Sequence, residues 1–356
     1  MKSSVYLLIV LLFFKGALLK AQSCDSMEVC GCVSSDFSPS GMMIGHVHEK
    51  GTWKFAYRYM NTMMKNNLSG TEKIDDNAVF NNYIMSSQSM RMDMHMIMAM
   101  YGFSDKFSVM LMLNYNVLSM NMSALPGTMT MNAAAMSVTD ANSDKMTTKT
   151  SGLGDTKLYA VYTLLNHNFH HLFLSAGLNI PSGNIRMKGA WDNLMYPGLR
   201  LPYMMQMGSG SLDFMPAVTY LLKKNKAAFS MQASSVIRPF NNSLNYHLGN
   251  EIAFNCWGAY KFLPWISASL RMEGNYSGSI SGRDEQQRAV MEPAADAVNY
   301  GGENICSYAG VNFYLNRTFL NNSKFTIEYG MPVYQNVNGI QLAAVHTLYA
   351  GWLISF

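Results

Sequence analysis

Between Ser87 and Met122 methionine falls on every second position of one run, at Met90, Met92, Met94, Met96, Met98 and Met100. A period of two is the strand period, because successive side chains of a pleated backbone leave opposite faces. The alternate face carries Arg91, Asp93, His95, Ile97, Ala99 and Tyr101. After the turn signal Gly102-Phe103-Ser104-Asp105-Lys106, a second run sets Phe107, Val109, Leu111, Leu113, Tyr115 and Val117 on one face. Ser108, Met110, Met112, Asn114, Asn116 and Met120 lie on the other. The pattern predicts a long hairpin, apolar outside and polar inside. The uniformly apolar methionine row of the first strand is expected to face outward and Arg91, Asp93 and His95 inward. Runs of this length exceed the ~5–6 residues of a soluble strand and suit the ~9–11 tilted residues that cross a bilayer.

The same alternation recurs along the chain. It starts at Trp53-Lys54-Phe55-Ala56-Tyr57-Arg58-Tyr59 and returns over 157–164, 172–180, 212–222, 229–235, 251–261, 266–275, 305–315, 325–334 and 345–356. Tight turns such as Asn166-His167-Asn168-Phe169 and Lys223-Lys224-Asn225-Lys226 alternate with long polar stretches at 65–82, 123–153, 181–209 and 277–302. An even number of antiparallel strands, about twelve, with alternately long loops and short turns is the pattern of a bacterial outer-membrane barrel. Both barrel ends then lie on the short-turn side. In the last run His346, Leu348, Ala350, Trp352, Ile354 and Phe356 share one face. This run resembles the C-terminal assembly signal of such barrels, so lipid and the barrel assembly machinery are expected partners. A soluble sandwich also alternates, but strand length argues against it. So does the aromatic belt implied by Trp53, Tyr57, Tyr162, Tyr260, Tyr276 and Trp352.

Composition sharpens the address. Residues 1–21 carry Lys2, an apolar core from Val5 to Phe14 and a small-residue end at Ala21, as a cleaved secretory signal peptide does. Residues 22–51 follow neither period and predict an irregular segment, periplasmic or folded into the lumen; residues 52–356 form the barrel. Without the signal, 23 basic residues face 22 acidic ones, which offers nothing to nucleic acid. Of five cysteines, Cys24, Cys30, Cys32, Cys256 and Cys306, at least one is left outside an intramolecular pair. No nucleophile elbow, phosphate loop or zinc-ligand spacing stands out, so no enzymatic activity is expected.

The chain has 32 methionines against 27 glycines. Methionine is an adaptable apolar filler, and its thioether is also a soft ligand suited to Cu(I). Met42, Met43, His46 and His48, with Cys30 and Cys32 nearby, are the candidate copper ligands; no other cofactor is implied. The expected lumen-lining set is Lys54, Arg58, Arg91, Asp93, His95, Met110, Met112, Asn114, Asn116, Lys157, Asp213, Glu251, Arg271, Glu273 and Glu328. Arg271 and Glu273, two apart on one strand, read as a structural pair.

The segments Trp53 to Met60, Met92 to Met96, Gly152-Leu153-Gly154-Asp155-Thr156-Lys157-Leu158, Asn179-Ile180-Pro181-Ser182-Gly183 and Leu201 to Asp213 carry a resemblance. Over most of residues 42–356 the chain resembles a family of bacterial outer-membrane transporters loosely labelled for phenol-degradation meta-pathways, some Met-rich members of which are associated with copper handling. The resemblance implies a barrel that transports and brings no substrate or site with it. The expected function is a channel for a small solute passing by diffusion. The alternatives are a closed barrel that binds or handles copper through Met, His and Cys, and a structural or adhesive barrel.

Overall fold

In the computed structural model, which describes residues 36–42, 47–125, 145–188, 200–315 and 322–356, the alternating runs form one closed antiparallel sheet. The signal-peptide residues, Cys24, Cys30, Cys32, Met43 and His46 lie outside the described residues. The strands are β1 (Trp53–Gly70), β2 (Glu72–Ile74), β3 (Met85–Ser104), β4 (Phe107–Ala124), β5 (Lys145–Leu153), β6 (Thr156–His167) and β7 (His170–Ile180). They continue as β8 (Asp213–Lys224), β9 (Ala227–Val236), β10 (Tyr246–His247), β11 (Glu251–Leu263), β12 (Ile266–Ser277), β13 (Ser281–Gly282), β14 (Gly302–Leu315) and β15 (Ser323–Ser355).

Neighbours in sequence pair around the ring, and β1 closes it on β15 from Lys54↔Ser355 onward. Closure satisfies every ladder group without water, which a sheet in lipid requires. The 33 residues of β15 cross twice. Its first arm pairs with β14 as far as Val337, the chain reverses beside Gly339 at φ +61°, and the second arm pairs with β1. The arms lie side by side: Ser355 N donates to Asn322 O at 3.2 Å, and the Phe325 and Trp352 rings stack. Eleven elements close the barrel, and the doubled last one brings the number of crossings to twelve.

The short turns and the barrel's two ends share one rim, where Trp53 N donates to Phe356 O. Asn168 and Asn225 take positive φ in the turns, a conformation asparagine tolerates better than most residues. The outer face is apolar, with Leu113, Leu174, Phe254, Leu270 and Ile327 exposed and with Trp53, Tyr57, Tyr162, Tyr260 and Tyr276 among its exposed aromatics.

The structure departs from the sequence reading in two places. The polar stretch 123–153 contains β5, which pairs with the upper half of β4 while β6 takes the lower half. The first strand of the hairpin, β3, is also turned over, while β4 faces as expected. Ser104 pairs with Phe107 as a two-residue turn demands, but a bulge between Gly102 and Ser104 shifts the register by one. A single-residue shift exchanges the faces of a whole strand. Met98 therefore pairs with Met112, Met96 with Asn114 and Met100 with Met110, and the β3 methionine row faces inward. Arg91, Asp93 and His95 stand on the outer face, beside Ile97 at 60% exposure.

Candidate functional site

The interior has two unlike walls. On β11, β12, β15 and the start of β1 the inward positions carry charge, and β14 between them adds Tyr308, Asn312 and Tyr314. Arg271 is the hub: Nε donates to Glu328 Oε1 at 2.7 Å, Nη1 reaches Asn255 and Glu273, and the guanidinium lies 3.7 Å over the Tyr308 ring. Asn275 donates to the other Glu273 oxygen at 2.7 Å. Lys54, Glu328 and Arg271 are almost wholly buried. In low dielectric such charges persist only when paired and hydrogen-bonded.

On β3, β4, β5 and β8 the inward positions carry thioethers. Met96, Met98, Met100, Met110, Met112 and Met215 pack with Tyr159, Val161 and Phe173 toward the short-turn end. Met85, Met90, Met120, Met122 and Met146 pack with Leu201, Met205 and Met207 toward the loop end. Asn114 and Asn116 interrupt this wall between the two clusters.

Two chain segments fold into the space between the walls. The first comprises residues 181–188 and 200–212 of the connection after β7. Its anchor is Asp155, whose Oδ2 accepts from Ser209 N at 2.8 Å, Ser209 Oγ at 2.9 Å and Asn179 Nδ2 at 2.9 Å, while Oδ1 accepts from Gly183 N at 2.9 Å. Asn179 also donates to Asp213, which accepts from Ser211 Oγ at 2.6 Å and faces Arg238 at 3.4 Å; Arg238 continues to Glu251 at 2.9 Å. Asn116 and Thr150 donate to the Met207 and Met205 carbonyls. A Cβ on Gly208 would stand 2.2 Å from Asp155 Oδ1, so only glycine permits this approach.

The second segment, residues 36–42 and 47–50, bridges the walls at the short-turn end. Lys324 Nζ binds Asp36 at 2.6 Å, Gly41 N donates to Glu328 and Arg58 Nη2 donates to the Met42 carbonyl at 2.9 Å. On the methionine side His48 N donates to Ser108 Oγ at 2.8 Å, and His48 Nε2 lies 3.2 Å from Met100 Sδ.

The loop end is covered by residues 278–301. Met85 N donates to Met291 O at 2.8 Å, Arg200 pairs with Asp284, and Tyr203 packs edge-on against Tyr246 and Tyr300. Glu292 is buried with Ser87 Oγ as its donor, and burial pushes its carboxyl up to about 8. Beside this cover a cavity of about 350 Å³ opens between Tyr203, Tyr300, Glu251, Glu303, Asn304 and Gln335.

No protein-family profile and no curated protein matches the chain. Solved structures do. An outer-membrane channel from Pseudomonas putida F1 aligns over 87% of this chain and 97% of its own, with a TM-score of 0.56 and 14% identity. The likeness is one of fold. A FadL homologue of Pseudomonas aeruginosa covers 91% of this chain and 96% of its own at 9% identity, and the KdgM porin 85% and 99% at 10%; their TM-scores are 0.43 and 0.38.

Lys54, Arg58, Met110, Met112, Asn114, Asn116, Lys157, Asp213, Glu251, Arg271, Glu273 and Glu328 occupy inward positions of this barrel. Arg91, Asp93 and His95 do not. On the outer face Arg91 pairs with Asp93 at 2.8 Å, Asp93 accepts from Tyr59 and Asn61, and His95 meets the Tyr57 hydroxyl at 2.7 Å. Of the copper candidates, Met42 and His48 line one cavity. Among the described residues no three of His, Cys, Asp and Glu cluster as a metal site. Sequence reasoning missed Asp155, Asn179, Ser209, Arg238 and Glu292. The signal available for the first three was the density of glycine at Gly152, Gly154, Gly183, Gly208 and Gly210, which marks close backbone approach.

Proposed function

We propose that the chain is an outer-membrane channel that passes a small solute through a lumen narrowed by two removable segments. The carrying observation is what fills the barrel. A ring of eight strands is just filled by side chains; twelve crossings leave more room, occupied here by residues 36–42, 47–50 and 200–212. Polar contacts to Asp155, Lys324 and Arg58 anchor both segments, and the apolar contacts of Leu201, Met205 and Met207 fall on methionines that can repack as the segment moves. The loop-end cavity of about 350 Å³, with aromatic and amide lining, suits a small hydrogen-bonding solute arriving from outside. The motif resemblance to phenol-degradation transporters supports transport and names no solute for this chain.

Planar-bilayer recording tests the reading. The purified protein is expected to give discrete conductance steps, and Asp155→Asn to raise the mean conductance several-fold by weakening the hold on Gly183 and Ser209. Silent bilayers from both proteins, each with the heat-dependent gel migration of a folded barrel, would sink it.

A further inference from the structure

A second cavity, at the short-turn end, lies between residues 36–42, His48 and the methionine wall, apart from the loop-end cavity. It measures about 70 Å³, and its lining includes His48, Met42, Met98, Met100 and Met110. We propose that it binds one soft monovalent metal ion, Ag(I) or Cu(I), through the His48 imidazole and the thioethers of Met100 and its neighbours. The inference rests on the channel reading for the ion's route to the site, and binding itself does not depend on that reading.

Three observations carry it. First, the donors already meet: His48 Nε2 and Met100 Sδ are 3.2 Å apart, both buried, and an ion enters by parting them, which the three side-chain torsions of Met100 allow. Second, the His48 backbone is tied to the barrel wall, because Ser108 Oγ accepts from its amide N–H at 2.8 Å and donates to its carbonyl, and the side chain it carries lines the cavity. The space exceeds the ~10–15 Å³ that one water-sized occupant needs. Third, the donor set is selective. Thioethers and an imidazole suit soft ions, whereas magnesium and calcium take oxygen ligands. The carboxylate in this lining, Asp36, is bound to Lys324 at 2.6 Å. The Arg58 guanidinium in the same wall repels a divalent ion about twice as strongly as a monovalent one.

The test uses the full chain in detergent with Cys24, Cys30, Cys32, Cys256 and Cys306 all replaced by serine, so that thiolates do not mask weaker ligands. It is titrated with Ag(I), and X-ray absorption at the silver edge reads the first shell. The expected result is one equivalent with mixed nitrogen and sulphur ligation that outcompetes Zn(II). His48→Phe and Met100→Leu should each weaken it tenfold or more, while His46→Phe and the outward-facing Met231→Leu should leave it unchanged. Met100→Leu nearly conserves volume, and Met98→Leu serves as a second probe if it fails to fold. A sulphur-only shell, a site lost with His46→Phe but kept with Met100→Leu, or tighter Zn(II) than Ag(I) would overturn the proposal. Normal conductance without a silver site removes this inference and spares the channel; a silver site in a silent barrel does the reverse.

Discussion

The charged wall and the methionine wall belong to one sheet and obey one alternation, yet they fill the lumen by opposite physics. Around Arg271 each partner is fixed in direction: Glu328, Glu273, Asn255 and the Tyr308 face all converge on one guanidinium. Around Met98 and Met112 nothing is fixed in direction, because thioethers pack without specific geometry. Charge makes a wall that must be complete to be stable, and methionine makes one that can rearrange. Both inserted segments touch both walls, so a movement that opens the lumen repacks thioethers more cheaply than it breaks ion pairs.

The strongest way to break this contrast is Arg271→Met, which turns the hub of one wall into the material of the other. Glu328 and Glu273 would then stay buried without their cation, a loss of about 3–5 kcal/mol. Urea unfolding in detergent should move to clearly lower denaturant. An unchanged midpoint would mean that the charged wall is no more rigid than its opposite.

A smaller effect is expected at the cover over the methionine side. Glu292, held neutral by burial with a carboxyl pushed up to about 8, binds its proton more tightly when covered than when exposed. Docking of residues 290–292 on Met85 and Ser87 is therefore strongest below the usual carboxylate range. It weakens as pH rises from there and levels off above about 8. Hydrogen exchange of the Met85 amide, which donates to Met291, should speed up between about pH 5 and 8 beyond its intrinsic base catalysis. In Glu292→Gln that excess should vanish, and its persistence would place the titrating group elsewhere.

Smaller still, Met98→Leu with Met112→Leu conserves volume within the pair that faces across the hairpin. Stability should change by less than about 1.5 kcal/mol. A larger loss on thermal unfolding would show that this wall, too, depends on directional contacts.

What the sequence disclosed and what it concealed divide along the same physical line. Period two and the spacing of polar stretches predict the strands, their antiparallel order and the closed barrel, because these depend on side-chain type averaged over many positions. The Asn168 and Asn225 turns were legible for the same reason. The β3 methionine row was assigned to the wrong side because one bulged residue, Phe103, decides the parity of the hairpin, and nothing local to the run reports it. The uniformly apolar row looked fit for lipid and is instead the lining of a twelve-crossing lumen. The role of Asp155 is not legible in the sequence because its partners lie 24, 28 and 54 residues away, Asn179 near the end of β7 and Gly183 and Ser209 toward the two ends of the connection that follows, and they meet only in the fold.

The smallest expected effect tests that parity directly. Arg91 and Asp93 pair at 2.8 Å on the outer face with the Arg91 side chain 59% exposed, near the loop end of β3. A pair so open to solvent contributes at most about 1 kcal/mol, so Arg91→Ala should leave unfolding almost unmoved and conductance untouched. Had the guanidinium lined the lumen, removing it would alter ion selectivity. Paired cysteine substitutions decide the geometry beneath this near-null result. His95→Cys should be shielded by lipid and accessible to a membrane-partitioning maleimide, and Met94→Cys should be protected from that reagent by the barrel wall. The opposite labelling pattern would return the methionine row to the lipid face, and the soft wall with it.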